Sequence, residues 1–125
     1  MSNNEETMLD IFVSFIEKYD LEIGGTFIID GQLLTGRIIS TKKYFNLLSS
    51  KFKSGNKPAH MVGEKMQEAL DNIINEEDKY IESNQYISMN NVKIIYNGEN
   101  NIKVDNVFRI KKSSISAFTF GEMDI

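Results

Sequence analysis

From Thr7 to Tyr19, apolar side chains recur at three- and four-residue steps: Met8, Ile11, Phe12, Phe15, Ile16 and Tyr19. That spacing stacks side chains on one face of a helix, and Thr7 stands where a cap is wanted. Leu9 and Val13 widen the apolar arc beyond a one-sided stripe, which predicts a helix buried deeply or shared with a second copy of the chain. From Leu21 the period changes to two. Leu21, Ile23, Gly25, Phe27 and Ile29 fall on one face of a strand, with Glu22, Gly24 and Thr26 largely on the other. Asp30-Gly31 follows as a hairpin signal, because the favoured tight turns demand positive φ. The returning strand runs from Gln32 to Ser40 with Gly36 in its middle. An interior glycine there predicts a bulge or sharp bend, with Leu33, Leu34, Ile38 and Ile39 changing register around it.

Ser40-Thr41 then opens a short helix ending near Lys53, in which Tyr44, Leu47, Leu48 and Phe52 share one face. Ser54-Gly55-Asn56-Lys57-Pro58 breaks it, and a longer helical pattern follows through Met61, Met66, Leu70, Ile73, Ile74 and Tyr80-Ile81. Strand signals return at Tyr86-Ile87-Ser88-Met89, continue after Asn90-Asn91 with Val92, Ile94 and Tyr96, and turn at Asn97-Gly98-Glu99-Asn100-Asn101. Val107 to Ile110 and Ile115 to Phe120 read as the last two strands. The order predicts one α+β domain over 1–125: an N-terminal helix (1–20), a β-hairpin (21–40), a helical insertion after the second strand (41–83) and three further strands (84–121). A small, strongly bent antiparallel sheet, or an SH3-like or Sm-like barrel, accommodates that order.

Composition narrows the chemistry. At 125 residues the chain has room for one core, and 14 Lys+Arg against 18 Asp+Glu give a formal charge of -4, which disfavours a general nucleic-acid coat. Without cysteine there is no disulfide, thiolate metal site or cysteine nucleophile. The start is acidic where a secretory signal needs Lys or Arg, and no apolar run approaches the roughly 18 to 20 residues of a membrane span. A cytoplasmic protein without membrane contact is expected. His60 is the only histidine, so a His-based acid/base pair or multi-histidine metal site cannot form in one chain; a solvated first-turn residue is expected instead. Glu76-Glu77-Asp78 with Glu82 offers carboxylates to a hard cation, yet lacks the glycine-punctuated loop such sites favour and reads as a wet helix face. Asp30-Gly31 and Asn97-Gly98 are turn chemistry rather than phosphate loops. No catalytic residue, cofactor or metal site is predicted.

The residues left for a partner are Tyr44, Phe45, Lys51, Lys53 and Lys57, with Arg109. The basic stretch from Lys42 to Lys57 interleaves lysines with aromatics, a mixture that can stack bases and hold phosphates, although helical spacing also explains the rings as core. The following helix is acid-rich. Its acids can neutralise the lysines within one chain, or pair with those of another copy and drive head-to-tail association. Arg109, between Phe108 and Ile110, points away from both and needs a carboxylate partner or water.

Several segments in order resemble the gas vesicle accessory protein U family (GvpU). They are the opening amphipathic helix, Leu33-Leu34-Thr35-Gly36-Arg37-Ile38-Ile39-Ser40 leading to Lys43-Tyr44-Phe45, and Tyr86-Ile87-Ser88-Met89-Asn90-Asn91-Val92-Lys93. Val107 to Ile110 and Ile115-Ser116-Ala117-Phe118-Thr119-Phe120-Gly121 complete the set. The resemblance implies a non-enzymatic cytoplasmic accessory factor that acts on gas vesicles in assembly or clustering rather than a building block of the shell; with the broad apolar helix and the charge asymmetry beside it, a homo-oligomer that holds shell or other vesicle proteins is expected. An Sm-like RNA-associated regulator is the alternative, and a carboxylate-using enzyme a third reading, whose sign is two acids converging in an apolar pocket.

Overall fold

The computed structural model describes residues 3–74, 85–96 and 100–123. Helix α1 (Asn3–Tyr19) leads into strands β1 (Ile23–Ile29) and β2 (Gln32–Ile39), then helices α2 (Thr41–Lys53) and α3 (Lys57–Ile74). Strands β3 (Tyr86–Tyr96), β4 (Asn100–Lys103) and β5 (Phe108–Lys111) follow, and a 3-10 turn (Lys112–Ser114) leads to β6 (Ile115–Phe120). All pairings are antiparallel in the order β4-β3-β2-β1-β6, with β5 also on β3. The expected α+β class, bent sheet and helices after the second strand are all present. The barrel alternative is corrected: no ladder joins β5 to β6 among the described residues, so the sheet stays open.

At the first hairpin Asp30 and Gly31 both take positive φ, +50° and +76°, as a two-residue turn between Ile29 and Gln32 requires. The bulge expected near Gly36 is also there, but on the other strand. Thr35 pairs with Lys93 and Arg37 with Asn90, so the extra residue belongs to β3, where Asn91 has φ +54°. A Cβ on Gly36 would come within 3.0 Å of the Asn90 carbonyl oxygen and 3.1 Å of the Val92 Cα, so glycine lets the bulged backbone close in. Within β2 the alternation never slips. Leu34 and Ile38 stay on the core face and Leu33 and Ile39 on the other, so the expected register change does not occur in that strand.

Leu9, Val13 and Ile16 of α1 pack on Phe27, Leu34, Ile38, Ile87, Met89, Val92, Ile110 and Ile115 to form the core. Each fully buried aliphatic side chain contributes about 1.5–3 kcal/mol. The buried face of α1 is therefore not the expected one. Met8, Ile11, Phe15 and Tyr19 remain 54%, 50%, 50% and 57% exposed, because this helix is apolar on two sides and the sheet covers only one. The helix also begins four residues before Thr7, which lies within it rather than capping it. On the opposite face of the sheet, the buried Thr26 and Thr35 share a 2.9 Å hydroxyl contact, and the chain end folds over them. Thr26 donates to the Gly121 carbonyl, and the Thr35 hydroxyl accepts from the Met123 amide.

Candidate functional site

Phe108 and Ile110 of β5 pack against the core, so strand alternation turns Arg109 to the opposite face. Arg109 lies directly across from Ser88 of β3, and Tyr86 shares that row. Helix α2 is brought over this face by its own start. The Ser40 hydroxyl accepts from the Lys43 amide as an N-cap while donating to Asp20, and Lys43 pairs with Glu22 at 2.7 Å. Tyr44 and Phe45, one turn in, then reach Arg109. The guanidinium carbon is 5.5 Å from the Tyr44 ring centre, 5.6 Å from that of Phe45 and 5.0 Å from that of Tyr86. The first two rings meet edge-on at 5.1 Å.

Each cation–π contact contributes about 0.5–2 kcal/mol, depending on how far the cation is desolvated. A ring face does not replace a lone pair, however, and a guanidinium carries five N–H donors. The Arg109 Nε is buried with no acceptor, and the Ser88 hydroxyl facing it is buried with no partner either. Two orphaned polar atoms at paired positions are an exception in a folded interior. No ion pair to Arg109 forms among the described residues. Of the expected carboxylate or water, no carboxylate pairs with Arg109 among the described residues, and three aromatic rings surround its guanidinium.

Glu17, near the end of α1, adds a negative charge whose field reaches Arg109. Its Oε1 accepts from both the amide and the hydroxyl of Thr41 at 2.8 Å, at the N-terminus of α2 where the helix dipole favours an anion. Burial nevertheless pushes its carboxyl above the ordinary 4.5, against the Thr41 hydrogen bonds and the Arg109 charge.

Of the residues singled out from the sequence, Tyr44, Phe45 and Arg109 converge here. The three lysines do not join them. Lys51, two turns further along α2, donates to the Asp105 carbonyl before β5. The Lys53 carbonyl contacts His60 Nδ1 at 2.9 Å, and Lys57 is exposed at the start of α3. None of Lys42, Lys43, Lys51, Lys53 and Lys57 pairs with an acid of α3 among the described residues. Glu76, Glu77, Asp78 and Glu82 lie outside the described residues, as does the turn at Asn97-Gly98. Sequence reasoning missed Glu17, Tyr86 and Ser88 as members of the site. The signal for the last two was strand parity, which puts 86, 88 and the residue opposite 88, Arg109, on the face away from Ile87 and Met89.

A cleft of about 360 Å³ opens where the sheet fails to close, lined by Ile29, Leu34, Ile94 and Phe108 with Asp30 and Lys111, and Arg109 also contributes to its wall. Asp30 is the one carboxylate in it, and the acid pair that the enzyme reading called for is not assembled there. His60 spans the Lys53 carbonyl and Glu64, which both raise its pKa, and it is exposed. Among the described residues no group of three or more acids and histidines converges as a metal site. No helix among them is long and apolar enough to cross a membrane.

A protein-family comparison matches residues 6–123 to a family described as gas vesicle protein GvpU-like. No curated protein and no solved structure matches the chain.

Proposed function

Because the chain belongs to the GvpU-like family of gas vesicle proteins, we propose that it is a non-enzymatic accessory protein, associated with gas vesicles in the cytoplasm. In this reading it promotes vesicle assembly or clustering by self-association and by holding shell or other vesicle proteins. The observation that carries the reading is the second apolar stripe of α1. Met8, Ile11, Phe15 and Tyr19 lie at three- and four-residue steps, about half exposed, with the Phe15 and Tyr19 rings stacked at 6.2 Å. A continuous stripe of that kind on a small folded domain marks an interaction surface. A helix stripe also packs on its own copy across a two-fold axis, which makes a second chain a fitting occupant.

The test is co-sedimentation of the purified chain with intact gas vesicles across a salt series, alongside a labelled RNA pool. Vesicle retention and clustering without RNA retention support the reading. Retention of RNA alone overturns it.

A further inference from the structure

We propose that the Arg109 cluster is a receptor for a side-chain carboxylate on an acidic segment of a protein partner. Arg109 supplies the fork that grips the carboxylate, and Tyr44, Phe45 and Tyr86 supply the wall against which the flanking apolar residue packs. The inference rests on the reading of this chain as an interaction protein only in taking the partner to be a protein.

Three observations carry it. First, the guanidinium is held rather than free: rings from two elements, α2 and β3, lie within 5.6 Å of its carbon, so little rotamer entropy is left to lose on binding. Second, it is held without being satisfied. Its Nε and the facing Ser88 hydroxyl have no partner, Ser88 being only 3% exposed, and no acid among the described residues forms an ion pair with Arg109. Those two atoms are closed to solvent, so a partner meets the outer nitrogens of the half-buried guanidinium; a guanidinium only donates, so the group it takes is an acceptor, and its fork suits the two oxygens of a carboxylate. Third, the site reaches the surface. Arg109 is half-buried and Tyr86 is 42% exposed, so a partner meets an arginine and tyrosines at the edge of solvent, the side-chain types that dominate binding at protein interfaces.

The charge balance favours a protein over a nucleic acid. A phosphate backbone is held by a track of cations, whereas this cluster has one cation. The rings, moreover, face Arg109 and are not stacked on one another as a platform for bases. One guanidinium answers one carboxylate.

The test uses the full ¹⁵N-labelled chain and an acetylated, amidated pentapeptide of alternating leucine and glutamate, so that every carboxylate offered is a side chain. The expected result is a saturable shift of the Arg109 Nε–Hε resonance. The matching peptide with glutamine for glutamate should bind about tenfold or more weakly, as loss of a charge-assisted hydrogen bond implies. Arg109→Lys keeps the charge and loses the fork, and should weaken the peptide by a similar factor. Should that variant fail to fold, Tyr86→Leu removes one ring at the exposed edge and is expected to weaken binding about threefold. An unmoved Arg109 resonance would mean that water satisfies the outer nitrogens, and would overturn the proposal. So would equal binding of the two peptides, or tighter binding of inorganic phosphate or oligouridylate. Vesicle co-sedimentation of the same proteins separates the two readings: peptide bound equally by parent and Arg109→Lys sinks this inference alone, and vesicles ignored by a parent that still binds the peptide sink the accessory reading alone.

Discussion

At Glu17, burial opposes ionisation while the two Thr41 hydrogen bonds and the Arg109 charge favour it, and burial prevails. A carboxyl raised above its ordinary 4.5 binds its proton more tightly in the folded chain than in the unfolded one. Its contribution to stability is therefore largest below the unfolded value and is lost as pH rises through the folded value. Glutamine at this position keeps an oxygen for Thr41 and never ionises. Glu17→Gln should thus gain stability relative to the parent between pH 4 and pH 7, read as a widening gap between their urea midpoints; a gap that ignores pH refutes the assignment. Gly63 makes a second residue-scale prediction. A Cβ there would lie 2.7 Å from the Ser49 carbonyl oxygen and 2.8 Å from the Lys53 amide nitrogen, both backbone, so α2 and α3 would have to separate. Gly63→Ala is expected to cost about 1–3 kcal/mol in spite of its better helix propensity, measured by thermal or urea unfolding. Such a glycine is hard to read from a sequence. Asp30-Gly31 announces its turn by local backbone chemistry, whereas Gly63 is required by a helix that the local pattern does not mention.

The same difference between local and distant causes decides which elements were legible. Period-two alternation and a turn dipeptide were enough for β1 and β2, and the short helix after Ser40 follows from its cap. For α1 the pattern identified the helix and misjudged its face. With Leu9, Val13 and Ile16 on one side and Met8, Ile11, Phe15 and Tyr19 on another, both sides qualify, and only the placement of the sheet chooses between them. Arg109 shows the middle case: parity correctly turned it away from the core, but the rings waiting there come from elements more than 20 residues away in sequence. At the turn between α2 and α3, His60 ties the two helices by contacting the Lys53 carbonyl and Glu64. The carbonyl is the larger cause of its raised pKa, so the histidine should titrate above 6.5, and Glu64→Gln should lower the midpoint only part of the way. The bridge is strongest below the unfolded pKa and is lost as pH rises through the folded one. Proton NMR of the single imidazole reads both effects, and a midpoint at or below 6.5 would remove the bridge from solution.

For the whole molecule, the proposed self-association has two routes open to it, and they respond oppositely to salt. Pairing of the basic α2 with acids of another copy is electrostatic, and between exposed charges it weakens as ionic strength rises. Burial of the α1 stripe against its copy is hydrophobic, and it persists or strengthens in sulfate and phosphate. The structure bears on the choice through what each route must disturb. Lys51 is already engaged with the Asp105 carbonyl, and the stem of Lys53 lies against Gly63 at the seam between α2 and α3, so a bridge to another chain would have to compete with the first contact and start from the second. Ile11 and Phe15 are half exposed on a helix whose other side is anchored in the core, and among the described residues neither belongs to that core. Ile11→Lys with Phe15→Lys should therefore leave the unfolding midpoint nearly unchanged when both proteins are dilute enough to be monomeric, as surface substitutions usually do within about 0.5 kcal/mol. The same pair should shift sedimentation to the monomer at every salt concentration, because two cations placed in an apolar seam cannot be desolvated without partners. Lys51→Gln with Lys53→Gln should leave association as it was. If the lysine pair dissolves the assembly and the α1 pair does not, the charged helices are the bridge and the apolar stripe serves something other than a second copy.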